Sequence, residues 1–175
     1  MITKLKRTPG LYLVGFMGCG KSTIGRHLAG RLGWSFADID DDIEARQQIS
    51  ISEIFESLGE AVFREIETEA LRARVQQIEC GVPFVIALGG GAFAQDRNYE
   101  LIRDNGVSIW LDCPFELIRQ RVAQATHRPL ARDAERFEAL YHARRASYAR
   151  ADFRIEITSE DPGVAVDAIL ALPVF

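Results

Sequence analysis

The stretch GFMGCGKST, residues 15 to 23, lies between an apolar run, GLYLV, and a segment of helical period, and it restricts the fold more than any other feature of the chain. Gly15 to Ser22 fits G-x-x-x-x-G-K-[ST], whose mechanism needs a strand directly before it and a helix directly after it. Gly15, Gly18 and Gly20 let successive backbone N–H groups point into one concavity at a helix N-terminus, whose partial positive charge favours an anion. Lys21 is placed to reach the β- and γ-phosphates of a nucleotide, and the Ser22 hydroxyl to ligate the magnesium that bridges them. A plain turn from strand to helix gives no reason for the Lys-Ser pair. Gly18, Cys19, Gly20, Lys21, Ser22 and Thr23 are therefore the candidate nucleotide-binding residues. Cys19 has two readings: a small filler within the loop, or a thiol activated by Lys21 and the helix N-terminus.

The rest of the chain repeats this alternation. Short runs rich in branched and aromatic residues occur at 10–15, 35–39, 83–88, 107–112 and 153–157. Between them lie segments with apolar residues at three- and four-residue intervals: residues 21–33, 41–49, 51–79, 96–105, 114–125 and 133–150. Strands that are apolar throughout belong to a parallel sheet covered on both faces, so the fold class is α/β with a single domain over 1–175. Between the helices at 43–49 and 60–79, the sequence SISE offers Ser50 or Ser52 as a helix cap. This region, about 40–70, reads as a helical insertion after the second strand.

Charge and composition remove several function classes. With 21 basic and 25 acidic residues the net charge is -4, and no Lys/Arg run is long enough to track a nucleic-acid backbone. Nothing approaches 18 consecutive apolar residues, so a cytoplasmic protein without a membrane partner is expected. The three cysteines, Cys19, Cys80 and Cys113, have no C-x-x-C spacing and point to neither a disulfide framework nor a zinc site. His27, His127 and His142 have no ligand spacing. A GTPase needs N-K-x-D and D-x-x-G at suitable positions, and neither is present, so a phosphoryl transferase is the better reading.

An acceptor then has to be found among scattered side chains. Asp38 and Asp40, two residues apart at the end of the second strand, are expected on one face at the sheet's carboxyl edge, beside the phosphate loop. One carboxylate can hold magnesium and the other can take the proton of an attacking hydroxyl, while Asp41 and Asp42 read as helix-capping charges. Gly89, Gly90 and Gly91 end the third strand and let bare amides approach a bound oxygen. Arg64 has Glu67 three residues on, which fits either an oriented guanidinium or an exposed helix pair, and Arg144 fits either a site residue or a solvated face. The segment THRPLARD, 126–133, reads as a lid carrying Arg128 or as a charged loop before a helix.

Taken together, GFMGCGKSTIGRHLA, the D-I-D of 38–40, SISEIFESLGEAVFREIE, ALGGGAF, HRPLA and RRASYARAD resemble the shikimate kinases, in the same order over nearly the whole chain. The resemblance implies a nucleoside monophosphate kinase-like P-loop fold in three layers, with a five-stranded parallel sheet of order 2-3-1-4-5 and a lid at about 123–134. It implies transfer of phosphate from MgATP to the 3-hydroxyl of shikimate, on the pathway to chorismate and aromatic amino acids, by a monomer with ATP and shikimate as its small-molecule partners. By position, Lys21 and Ser22 match phosphate and magnesium residues, and Asp38 matches a second magnesium position. Asp40, Arg64, Gly90, Gly91 and Arg144 match substrate-binding positions, with Asp40 holding ring hydroxyls and serving as base and the two arginines clamping a carboxylate. Arg128 matches the lid arginine, catalytic with Lys21 and Asp40 and also nucleotide-binding, and Arg121 matches a position against adenine. Two features depart from the family pattern: Glu65 stands where many members carry a basic residue, and the lid is short. Arg145 beside Arg144 leaves that match open by one position, which the spacing to Tyr148 settles toward Arg144. A nucleoside monophosphate acceptor fits poorly, because Asp40 would repel its phosphate. Gluconate fits the same chemistry, and a silent nucleotide-binding regulator is the rival from another class.

Overall fold

The computed structural model describes residues 10–124 and 133–175. Its sheet has five strands, all parallel, in the order β2-β3-β1-β4-β5. The strands are β1 (Gly10–Val14), β2 (Ser35–Asp38), β3 (Phe84–Ala87), β4 (Gly106–Asp112) and β5 (Phe153–Glu156). The central strand is buried over its whole length, as an apolar run in a doubly covered sheet should be. Where β1 and β4 begin, Gly10 faces Gly106, and a β-carbon on Gly106 would overlap the Gly10 carbonyl, so neither side chain position can be filled.

Among the described residues, seven α-helices connect and cover these strands: α1 (Lys21–Leu32), α2 (Ile39–Gln47), α3 (Ile51–Glu79), α4 (Asp96–Asn105), α5 (Phe115–Gln124), α6 (Ala134–Tyr148) and α7 (Pro162–Leu170). The parallel order and the position of β1 at the centre agree with the arrangement expected from the family resemblance. The insertion after β2 consists of α2 and the first part of α3. Ser50, rather than Ser52, caps α3, in a reciprocal box with Glu53: the Glu53 amide donates to Ser50 Oγ at 3.2 Å, and the Ser50 amide to Glu53 Oε2 at 2.7 Å. Gly59, at φ 82°, breaks the helical path of α3 and separates an outer arm from the part packed on the sheet.

Two expectations about local structure need correction. The second strand stops at Asp38, whose side chain caps α2 by accepting from the Asp40 amide at 3.0 Å. Asp40 is thus in the first turn of a helix, and the two-residue strand period does not apply to it. Three consecutive acids favour a helix N-terminus over a longer strand, because they meet its positive end. The second correction is α7, which the apolar periods did not reveal. Its signals are Asp161 as N-cap, accepting from the Gly163 amide at 2.8 Å, and Pro162 at the first helical position.

Candidate active site

The turn between β1 and α1 holds a network made almost entirely by itself. Gly20, at φ 100°, precedes α1 with no side-chain cap, leaving the first amides of the helix directed into the loop. Lys21 Nζ lies inside this loop, donating to the Gly15 carbonyl at 2.8 Å and the Phe16 carbonyl at 3.0 Å. Cys19 is fully buried beneath it, its sulfur 3.8 Å from the ammonium, which favours the filler role. Arg121, on α5, donates to the Gly18 carbonyl at 3.0 Å and pairs with Glu160 at 3.0 Å, so it joins the loop to the segment before α7. A cleft of about 700 Å³ opens here, lined by Gly18 to Thr23, Asp38, Asp40, Arg121 and Glu160 among others.

Asp38 connects this cradle to the insertion. Its second carboxylate oxygen accepts a close hydrogen bond from the Ser22 hydroxyl, while its first holds the Asp40 amide. A neutral and an anionic oxygen in contact beside a phosphate loop suit magnesium, which keeps waters and shares phosphate oxygens instead of needing a full protein cage. No group of three or more His, Cys, Asp or Glu that could hold a metal occurs among the described residues. Asp41 and Asp42 do more than cap: Asp41 pairs with Arg26 at 3.3 Å, and Asp42 takes a two-point bond from Arg74 at 2.6 and 2.7 Å.

Asp40 points the other way, into the acceptor end. A β-carbon on Gly89 would come within 2.8 Å of Asp40 Oδ1 and 3.0 Å of Glu67 Oε1, so this glycine admits both carboxylates. Burial, more than any neighbour, raises the Asp40 carboxyl to about 6; Asp38, Glu67 and Glu44 push the same way and Lys21 opposes them. Glu67 is 1% exposed and also raised by burial, with Arg64 and Arg144 opposing. Arg64 donates to it at 2.8 Å and is itself 12% exposed, so the solvent-facing reading of this pair does not hold. The Arg64 Nε is buried with no partner in the described residues, and the guanidinium packs directly on Gly91. Its two terminal nitrogens are held by Glu67 at 2.8 Å and Glu60 at 3.3 Å, an oriented planar donor group of the kind that suits a carboxylate.

The two adjacent arginines of α6 separate cleanly. Arg145 is taken up by Asp112 at the end of β4, at 2.6 and 3.0 Å, and lies over the Trp110 ring at 4.9 Å. Arg144 is half-buried and acts electrostatically on Glu67 and Tyr148, which places it with Arg64. Glu65 pairs with Arg97 at 2.6 Å, so its departure in charge is met by a neighbour from α4. Arg128 and the lid at 126–132 fall outside the described residues. Sequence reasoning did not find the anchoring role of Asp112 or the Tyr148 hydroxyl, which donates to the Gly90 carbonyl at 2.6 Å. Both contacts cross between elements far apart in sequence, and no local pattern signals them.

A parallel sheet of this order, a phosphate loop at its carboxyl edge, and a separate acid-and-arginine compartment define a P-loop small-molecule kinase of the nucleoside monophosphate kinase-like type. The comparisons with known proteins narrow the class. The chain belongs to the shikimate kinase family, whose model matches residues 17–172. It is similar to the shikimate kinase of Persephonella marina, 37% identical over 91% of this chain and 96% of that one. It is 40% identical to the shikimate kinase of Caulobacter vibrioides over 94% of this chain and 82% of its relative. Among solved structures, the shikimate kinase from Acinetobacter baumannii in complex with shikimate superposes with a TM-score of 0.86 at 34% identity, covering 97% of this chain and 95% of that one.

Proposed function

We propose that this chain transfers the γ-phosphoryl group of ATP to the 3-hydroxyl of shikimate, giving shikimate 3-phosphate and ADP. Membership of the family carries the reaction, and the buried Arg64 guanidinium, oriented by Glu67 against the Gly91 turn, is the observation that most favours a carboxylate-bearing acceptor. Lys21 and the loop amides bind and orient the phosphates. Ser22 and Asp38 would hold the magnesium, which when bound offsets negative charge on the β- and γ-phosphates. Arg64 and Arg144 clamp the shikimate carboxylate, and the Gly90 and Gly91 backbone lies along the ring. Asp40 holds ring hydroxyls and accepts the proton of the attacking one; with its carboxyl at about 6 it is chiefly ionised at neutral pH yet basic enough to take that proton. Arg128 closes on the transferring phosphoryl group from the lid, and Arg121 lies against adenine.

One domain, over 1–175, carries all of this, with a helical substrate-binding insertion at about 40–70 and a lid at about 123–134. No helix among the described residues is long and apolar enough to cross a membrane. We take the working form to be a cytoplasmic monomer that engages neither membrane nor nucleic acid, which sedimentation of the purified chain with and without substrates tests. The activity itself is tested by ADP release from MgATP against shikimate, quinate, gluconate and AMP. Turnover with shikimate is expected; release with gluconate or AMP and none with shikimate would overturn the reading.

A further inference from the structure

The acceptor compartment contains a group to which the family resemblance assigned no role. Tyr148 closes α6 one turn beyond Arg144, is 2% exposed, and its hydroxyl donates to the Gly90 carbonyl at 2.6 Å. The three glycines at 89–91 have no side chains with which to fix themselves, so their orientation must come from groups that hold their backbone. In a trans peptide the carbonyl of one residue and the amide of the next point in opposite directions. Holding the Gly90 carbonyl on the Tyr148 side therefore turns the Gly91 amide toward the other side of the turn, and neither the Gly90 nor the Gly91 amide has an acceptor among the described residues. Gly91 is also the residue on which the Arg64 guanidinium rests.

Tyr148 is itself firmly held. Its ring packs 6.1 Å from Trp110, and Trp110 lies under Arg145, which Asp112 takes up with two bonds. A rigid chain thus runs from the end of β4 through α6 to the glycine turn. Burial and then Cys19 of the phosphate loop raise the proton affinity of this hydroxyl, and Arg144 and Arg64 oppose them, which puts it where α3, α6, the turn after β3 and the phosphate loop meet. Gly90 keeps ordinary contact with this group, since a β-carbon on it would lie 3.7 Å from both the Tyr148 oxygen and the Met17 amide nitrogen. The hydroxyl is therefore close enough to orient the turn without filling the space above it.

We propose that Tyr148 is a positioning residue for the acceptor: by holding the Gly90 carbonyl it aims the turn's amides at the shikimate side and keeps them in register with Arg64 and Arg144. This rests on the shikimate kinase reading above. It makes the hydroxyl matter more to the acceptor than to the nucleotide, whose phosphates are held by a loop that the turn only borders, at Met17 and Gly15.

Tyr148→Phe removes one hydroxyl and keeps the ring. The expected result is a KM for shikimate raised about tenfold, the size of one lost buried hydrogen bond, with the KM for ATP moved by less than about twofold. Calorimetric titration with shikimate and with MgADP should give the same split. If the variant folds, turns over shikimate and has both constants unchanged, or both weakened equally, the hydroxyl serves only structure and the proposal falls. Should its melting curve show that it does not fold, the wild-type protein decides by amide NMR: the Gly90 and Gly91 signals should move clearly more on adding shikimate than on adding MgADP. Signals indifferent to shikimate overturn it. A wild-type protein inactive on shikimate condemns the underlying assignment instead, and that is read before any variant is made.

Discussion

The two ends of the cleft are built on opposite plans. The phosphate end comes from nine consecutive residues and is held mostly by its own backbone, with Lys21 on the Gly15 and Phe16 carbonyls and with Asp38 and Arg121 reaching it from outside. At the proposed acceptor end, Asp40 of α2 and Gly89 and Gly90 of the turn after β3 line the cleft, with Arg64 and Glu67 of α3 and Arg144 and Tyr148 of α6 clustered beside them. Backbone amides recognise any polyphosphate, whereas on the proposed reading a fork of guanidinium donors beside a carboxylate selects a particular hydroxy acid. Generality can be written in a short loop; selectivity here needs four elements in register.

That contrast can be attacked most forcefully at Asp40. Asp40→Ala should lower kcat by about 10³-fold or more, the range of a lost general base, while MgADP affinity measured by calorimetry stays near wild type. A variant that turns over normally would remove Asp40 from the mechanism, and one that loses nucleotide would merge the two ends. Arg64→Lys keeps the charge and loses the fork, so the KM for shikimate should rise about 10- to 100-fold with the KM for ATP little changed. Equal changes in both would mean that the insertion supports the whole cleft and not the acceptor alone.

The acid at the boundary has a pH signature. Since kcat/KM reports the free enzyme, it should fall about tenfold per pH unit below the Asp40 value of about 6. The stability counterpart has the opposite sense. Asp40 titrates higher when folded than its ordinary 3.8, so the folded state binds the proton more tightly, and ionising it costs stability as pH rises through about 6. Asp40→Asn should therefore gain about 1–3 kcal/mol at pH 7 in urea unfolding, and that gain should vanish near pH 4. A gain that persists at low pH would trace to packing and not to charge. The smallest effect is expected at Glu65, exposed and paired with Arg97. Glu65→Gln should lower the KM for shikimate by less than about threefold, because a screened surface charge near an anionic substrate has little influence.

Much of the fold was legible because its signals are local. Runs of five or six residues rich in branched and aromatic side chains marked all five strands, and SISE, with Ser50 or Ser52 as cap, marked the start of α3. The errors fell where two local signals compete. Asp38-Ile39-Asp40 reads as strand or as helix start, and the helix wins because three acids stabilise its N-terminus. The helix α7 was lost because its apolar residues lie close together with little polar contrast, leaving only Asp161 and Pro162 to announce it. Arg64 and Arg144 were individually indistinguishable from solvated helix charges, since burial is a property of what packs against a residue and not of its neighbours in the chain.

By itself, then, the order of residues determined the phosphate loop, the alternation of strands and helices, and the family to which the chain belongs, all carried by short-range geometry and by motif spacing. Only the tertiary structure decided that Arg64 is buried against Glu67, that Asp112 takes Arg145 and leaves Arg144 to the acceptor compartment, and that Tyr148 holds the glycine turn. The reason is desolvation: a charge or hydroxyl acquires its direction and its altered proton affinity when distant elements exclude water from it, and separation along the chain says nothing of that exclusion.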